Sequence, residues 1–303
     1  NLREGAFGSE SLFASDVVSL PAVATKIPCA PSEIAIPVVD NIPAGSWETT
    51  AKVPVRGMKN GGNMCYVNSL AQVLLRTPAM SEWIQWHRKT GCARGVASCM
   101  LCALYKTHES LVIGASLQSR TALVQNRAYV SKNFANEAQQ DVFEFFGELC
   151  ERVRQVEMGS GRYGLWGHIQ KTNASATHLD RILQFVVERR RRCTRCRMTR
   201  SWYEAEDVLK LHPQVREGGP MTVSEMYLAA CAHEPRDEKF RCSSDVCQDA
   251  DVEHVTQSRM IGIPNVLVVQ IARQDGKRIP VAVDEQLDLH GVGSMHLIGV
   301  VYH

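Results

Sequence analysis

No apolar run in this chain approaches the roughly 20 residues that a membrane-spanning helix needs, so no segment reads as transmembrane. A dominant charge is missing too. Lys and Arg number 34 against 32 Asp and Glu, a net +2, which offers no electrostatic case for binding nucleic acid. No internal repeat is visible, which argues against a solenoid or propeller. The opening Asn1-Leu2-Arg3-Glu4 has neither a Met nor a signal-peptide core after it, and reads as the cut edge of a longer chain. What is present is ordinary for a globular protein: 303 residues, 45% apolar and 22% charged, which excludes a mostly disordered chain.

Cysteine is the exception to that ordinariness. Eleven are present in a chain too long to be a small disulfide scaffold and without a secretion signal, so metal sites and catalytic thiols are the expectation, in a reducing compartment. Pro21, Pro28, Pro31, Pro37 and Pro43 interrupt every apolar run in residues 1–51, which read as a linker or tail. From Lys52 to His303 the pattern is that of one folded domain. Cys65 to Arg76 is apolar on nearly all sides and predicts a buried helix, ended near Pro78. Ser98 to Thr107 predicts a second. Val142, Phe145, Phe146, Leu149 and Val153 recur at three- and four-residue steps and predict an amphipathic helix between Ala138 and Val153. After Asp180 the runs are short and β-rich: 185–187, 201–211, 266–271 and 297–302. Helices first and strands afterwards argue an α+β fold.

The most informative stretch is Gly57-Met58-Lys59-Asn60-Gly61-Gly62-Asn63-Met64-Cys65-Tyr66-Val67-Asn68-Ser69-Leu70-Ala71-Gln72. Gly61 and Gly62 allow a tight turn and close approach to a substrate. Cys65 then falls at a helix N-terminus, where the dipole and free N–H groups favour an anion and hence a nucleophilic thiolate. Asn60 could donate an amide N–H to the oxyanion that forms. A buried, inert thiol is the competing reading. Further on, Cys193-Thr194-Arg195-Cys196 and Cys242 with Cys247 offer four thiolates in two knuckles, a set suited to tetrahedral structural Zn²⁺, with Cys231 and His233 as weaker alternatives. Cys99 and Cys102 also form a CxxC, but in an apolar helical run where both thiols read as core. Arg189 to Arg192 reads as a solvated face.

The block around Cys65 closely resembles the cysteine box of the ubiquitin-specific proteases, whose pattern is Gly-Leu-x-Asn-x-Gly-Asn-Thr-Cys-Tyr-x-Asn-Ser-x-x-Gln. It departs at Met58 and at Met64, where the family usually has Thr. Gln139-Gln140-Asp141-Val142-Phe143-Glu144-Phe145 resembles the family's Gln-Gln-Asp-Ala-x-Glu-Phe box. Residues 263–271, the Leu287-Asp288-Leu289 turn and the strand from His296 also match, so the resemblance covers about residues 56–303. It implies a papain-like cysteine protease fold with a helical thumb, a β-rich palm and zinc-knuckle fingers. It implies Cys65 as nucleophile, Asn60 as oxyanion donor, and Gln139 and Asp141 in contact with the ubiquitin tail. Cys193, Cys196, Cys242 and Cys247 would be the zinc ligands.

The implied activity is hydrolysis of isopeptide bonds at the C-terminal glycine of ubiquitin, in the cytoplasm and/or nucleus, with ubiquitin and ubiquitinated proteins as partners. A ubiquitin-binding scaffold that has lost catalysis is the alternative, and a zinc-knuckle nucleic-acid module a weaker one. The family's general base is a His in a Gly-His-Tyr motif that this chain does not reach. His303 matches an earlier, non-catalytic His, so the chain alone is expected to be inactive.

Overall fold

A computed structural model describes residues 57–89, 91–92, 94–112, 121–158, 177–232, 234–247, 251–273, 279–290 and 292–301. The Pro-rich stretch 1–51, His233 and His303 lie outside them.

The first half is helical. Helices α1 (Cys65–Leu74), α2 (Pro78–Lys89), α3 (Met100–Val112), α4 (Ala122–Gln125) and α5 (Arg127–Val130) precede a 3-10 turn over Lys132–Phe134 and the long helix α6 (Val142–Met158). Helix α1 packs against α6 through aromatic rings. Phe145 meets Tyr66 and Phe134 edge-to-face, with centroids 5.3 and 5.0 Å away. Trp83 of α2 is fully buried and spends its indole N–H on Glu157 of α6, 3.1 Å away. This helical core is closed by α7 (His178–Leu183), which begins with a capping box between Thr177 and Asp180.

The second half is sheet. Strands β1 (Phe185–Cys193), β2 (Thr199–Glu206), β3 (Val208–Leu211) and β4 (Met221–Thr222) lead into helix α8 (Val223–Cys231). Then follow β5 (Glu234–Arg241), β6 (Asp251–Met260), β7 (Val268–Ile271), β8 (Val281–Ala282), β9 (Gln286–Leu289) and β10 (Gly293–His296). One antiparallel four-stranded sheet has the order β2-β1-β6-β5. Shorter pairs, parallel β3-β7 and β4-β8 and antiparallel β9-β10, form the second core with α8.

Arg154 of α6 joins the halves. Its guanidinium lies 2.7 Å from Asp180 of α7 and 2.6 Å from Asp207 at the β2–β3 corner. Burial works against that cation, but the two carboxylates outweigh it and hold its pKa above the usual range.

Four expectations need correction. The run 201–211 is two strands broken at Asp207, because that carboxylate turns inward to Arg154. Leu287-Asp288-Leu289 is not a turn but part of β9, paired in register with β10. Residues 297–301 do not form a regular strand. Leu297 donates to Glu285, and no ladder continues beyond it among the described residues. The arginine run is also no solvated face. Arg189 pairs with Glu204 and Glu206, and Arg190 with Glu188. The Arg191 guanidinium lies 4.1 Å from the centre of the Phe240 ring and 5.3 Å from that of Trp202.

Candidate active site and metal centre

Cys65 is the first residue of α1, and its side chain is exposed while Tyr66 and Val67 behind it are buried. The loop before it is fixed by short polar contacts. Gly62 adopts φ +120, a region closed to most side chains. The Met64 N–H donates to Asn60 Oδ1 at 3.2 Å, and Asn68 Nδ2 reaches the Lys59 carbonyl at 3.4 Å. Met64, at the N-cap, makes no side-chain cap and is buried, and no acidic residue sits in the first turn. Asn60 Oδ1 takes the Met64 N–H, while no N-cap side chain and no first-turn carboxylate competes for the positive end of the helix beside the thiol.

Cys65 and Asn60 line one cleft of about 740 Å³, together with Gln72, Arg76 and the backbone segment 298–300. Gln72 accepts from Arg76 Nε at 3.0 Å. The structure thus brings two of the predicted residues together. Gln139 and Asp141 are exposed on the loop that enters α6 and do not line this cleft. Asp141 caps that helix: its Oδ1 accepts from the N–H groups of Phe143 at 2.7 Å and Glu144 at 2.9 Å. The two loops are tied by Asn63 Nδ2, which donates to the Glu137 carbonyl at 3.1 Å. Gln72 and Arg76 are cleft residues to which sequence reading gave no role. Gln72 lies about two turns after Cys65 on α1 and Arg76 just past the helix end, and that spacing was the available signal.

At the far tip of the four-stranded sheet, Cys193, Cys196, Cys242 and Cys247 converge, their sulfurs all within 4.8 Å of one another. The turn between β1 and β2 brings the first pair, and that between β5 and β6 the second. The separations Cys193–Cys247 and Cys196–Cys242 are 3.8 and 3.7 Å. A disulfide would need about 2.05 Å. A tetrahedral Zn²⁺ with bonds of about 2.3 Å places sulfurs about 3.8 Å apart, so the four thiols fit that ion. The Met198 N–H bonded to the Cys196 sulfur is the main reason that thiol is lowered to about 6. Burial pushes the Cys247 thiol up to about 12, a group that a bound dication would hold deprotonated. Cys231, the weaker alternative ligand, lies beside Tyr227 and outside this cluster.

Cys99 and Cys102 lie in the core, as their apolar run implies, but with more around their sulfurs than apolar packing. Both are buried, but their sulfurs face His87 and Cys92 in a second group of ligand atoms within 4.8 Å. The signal was the spacing His87-x4-Cys92-x6-Cys99-x2-Cys102, of which only the last pair was weighed as a metal motif.

A family profile described as Ubiquitin carboxyl-terminal hydrolase matches residues 56–290. The chain belongs to that family.

It is similar to Ubiquitin carboxyl-terminal hydrolase 36 of Drosophila melanogaster, 29% identical over 165 residues, 52% of this chain and 15% of the relative. It is also similar to Ubiquitin carboxyl-terminal hydrolase 17-like protein A of Mus musculus, 33% identical over 113 residues, 36% of this chain and 20% of the relative. The chain thus spans a small part of the length of these relatives. Among solved structures, it resembles one described as the SAGA Ubp8/Sgf11/Sus1/Sgf73 DUB module bound to ubiquitin aldehyde. The TM-score is 0.62 at 18% identity, over 78% of this chain and 52% of that one. The same module bound to monoubiquitin gives 0.63 at 17% identity, over 80% and 55%. These likenesses show the fold, a papain-like cysteine protease fold with helical thumb, β-rich palm and fingers.

Proposed function

We propose that residues 52–303 are the nucleophile-bearing catalytic domain of a thiol deubiquitinase acting at the C-terminal glycine of ubiquitin. One observation carries this reading: within a ubiquitin hydrolase family, Cys65 is exposed at the start of a buried helix, in a cleft it shares with Asn60. The Cys65 thiolate attacks the isopeptide carbonyl carbon and a C–S bond forms. The C–N bond breaks, the lysine amine leaves with a proton, and water then hydrolyses the thioester to a carboxylate and the free thiol. Asn60 has its carbonyl oxygen engaged by Met64, so its Nδ2 is the end that can donate to the oxyanion, beside the amides that open α1. No histidine among the described residues lines the cleft, and in this proposal the proton-transferring base comes from outside them.

Gln139 and Asp141, on the loop tied to the cysteine loop through Asn63, are assigned to contact the ubiquitin tail. The structures this chain resembles hold ubiquitin or ubiquitin aldehyde, which supports ubiquitin and its conjugates as partners. Cys193, Cys196, Cys242 and Cys247 hold a structural zinc that cross-links the two turns at the tip of the fingers. Thiol chemistry of this kind suits a reducing compartment, the cytoplasm and/or nucleus. No described helix is long and apolar enough to cross a membrane.

The test is to treat the chain with ubiquitin bearing a C-terminal electrophile. The mass is expected to rise by one ubiquitin, and Cys65→Ala to abolish the adduct. Equal labelling of the Ala variant would remove Cys65 as nucleophile, and a base-containing chain that binds ubiquitin yet stays unlabelled would be a scaffold instead. Turnover by residues 1–303 alone is expected to be far below that of a longer chain carrying the base.

A further inference from the structure

Outside the cleft and the fingers, the reaction uses nothing of the cluster at the α2–α3 connection. His87 stands in the last turn of α2, Cys92 in the loop, Cys99 just before α3 and Cys102 in its first turn. His87 Nε2 lies 3.5 Å from the sulfurs of both Cys99 and Cys102. Around a tetrahedral zinc with Zn–N of about 2.0–2.1 Å and Zn–S of about 2.3 Å, nitrogen and sulfur stand about 3.6 Å apart. A core packed for apolar burial would give these side chains no reason to aim their polar atoms at one point. The loop is shaped to do so. Gly95 (φ +70) turns the chain, and the N–H groups of Arg94 and Gly95 reach the Cys92 sulfur. The Cys102 N–H reaches the Cys99 sulfur.

We propose that His87, Cys92, Cys99 and Cys102 form a second structural zinc site that clamps the end of α2 to the start of α3. Three soft thiolates and an imidazole suit Zn²⁺ and not Mg²⁺ or Ca²⁺, which take oxygen ligands. Four protein ligands leave no open position for water or substrate, so the role is structural. The clamp acts on the frame of the thumb, since α2 also carries the buried Trp83 bonded to α6. It does not depend on the assignment of Cys65.

Zinc quantification and zinc K-edge absorption on the unaltered chain test this without any variant having to fold. The expected result is two zinc ions per chain and, averaged over two four-ligand sites, one nitrogen for every seven sulfurs. Cys102→Ser is expected to lower the content from two to one and leave an all-sulfur shell. Cys196→Ser is expected to lower it to one as well, but to leave one nitrogen with three sulfurs. One zinc in an all-sulfur shell in the unaltered chain would overturn the proposal. So would two zinc ions retained by a folded Cys102→Ser chain.

Discussion

Around α1, Tyr66, Phe134 and Phe145 pack into an apolar core that extends from Met64 to Val266. At the tip of the fingers, the buried centre is Cys193, Cys242 and Cys247, with Cys196 and Val252 against them. The contrast shows two ways of ordering a chain. The core around α1 and α6 removes large apolar side chains from water and holds Cys65 in place by packing. The fingers have little apolar surface at their tip, and their four thiols converge where a metal could stand in for the missing core.

The largest expected effect breaks that contrast directly. Structural zinc is worth an apparent 10–16 kcal/mol or so in small zinc-finger peptides, so chelation should strip amide-exchange protection from β1, β2, β5 and β6 near the cysteines. The core of α1 and α6 should keep most of its protection, with loss in the helical half confined to the α2–α3 connection. Cys196→Ser should lower zinc content and thermal stability together, whereas Cys65→Ser should change neither. A metal-free chain with fully protected fingers would refute the comparison.

Arg154 tests whether the two halves are one cooperative unit. Replacing it with Met leaves Asp180 uncompensated in the interior, and breaking a buried pair this way costs about 3–5 kcal/mol. Denaturant unfolding should show one weaker transition. An unchanged midpoint would mean that the ion pair does not couple the halves.

Within the cleft, removing one oxyanion donor typically costs about 10²–10³ in rate. Asn60→Ala in an active, base-containing chain should lower kcat by about that factor and spare ubiquitin binding. Unchanged kcat would leave the role to the backbone amides of α1 and reduce Asn60 to shaping the loop.

The smallest effect belongs to Glu188 in β1. Burial raises its pKa, but bonds from Arg190 and Arg259 outweigh this and the net shift is downward. A carboxylate depressed in the folded state contributes stability above its unfolded pKa and loses it as pH falls through the folded value. Glu188→Gln should therefore cost about 1–3 kcal/mol near neutrality and flatten the acid limb of the fingers' stability curve. Parallel acid limbs for the variant and the natural chain would contradict the assignment.

Helices α1 and α6 were legible because their apolar residues recur locally, and the cysteine box because its glycines, Asn60 and Cys65 are adjacent in sequence. The long strand β1 was legible only at its start, 185–187. Its arginines look soluble until Glu204, Glu206 and Glu188 are seen beside them, and that pairing is non-local. The thumb cluster was hidden for a similar reason. His87 and Cys92 lie on a helix end and a loop, and only the packing of α2 on α3 turns them towards Cys99 and Cys102. The reach of Asp141 was legible only in part: its capping role follows from its place before Val142, while contact with a ubiquitin tail does not.

By place the cysteines divide into Cys65, exposed at the start of α1, and two clusters whose sulfurs converge as metal ligands would, a division that implies one nucleophile and two metal sites. Peptide-resolved alkylation rates on the zinc-loaded chain test it most directly. Cys65 is predicted to react fastest, with Cys193, Cys196, Cys242 and Cys247 protected until a chelator is added and the Cys65 rate unchanged by it. A Cys65 that reacts more slowly than any of those four in the loaded chain would contradict the claim.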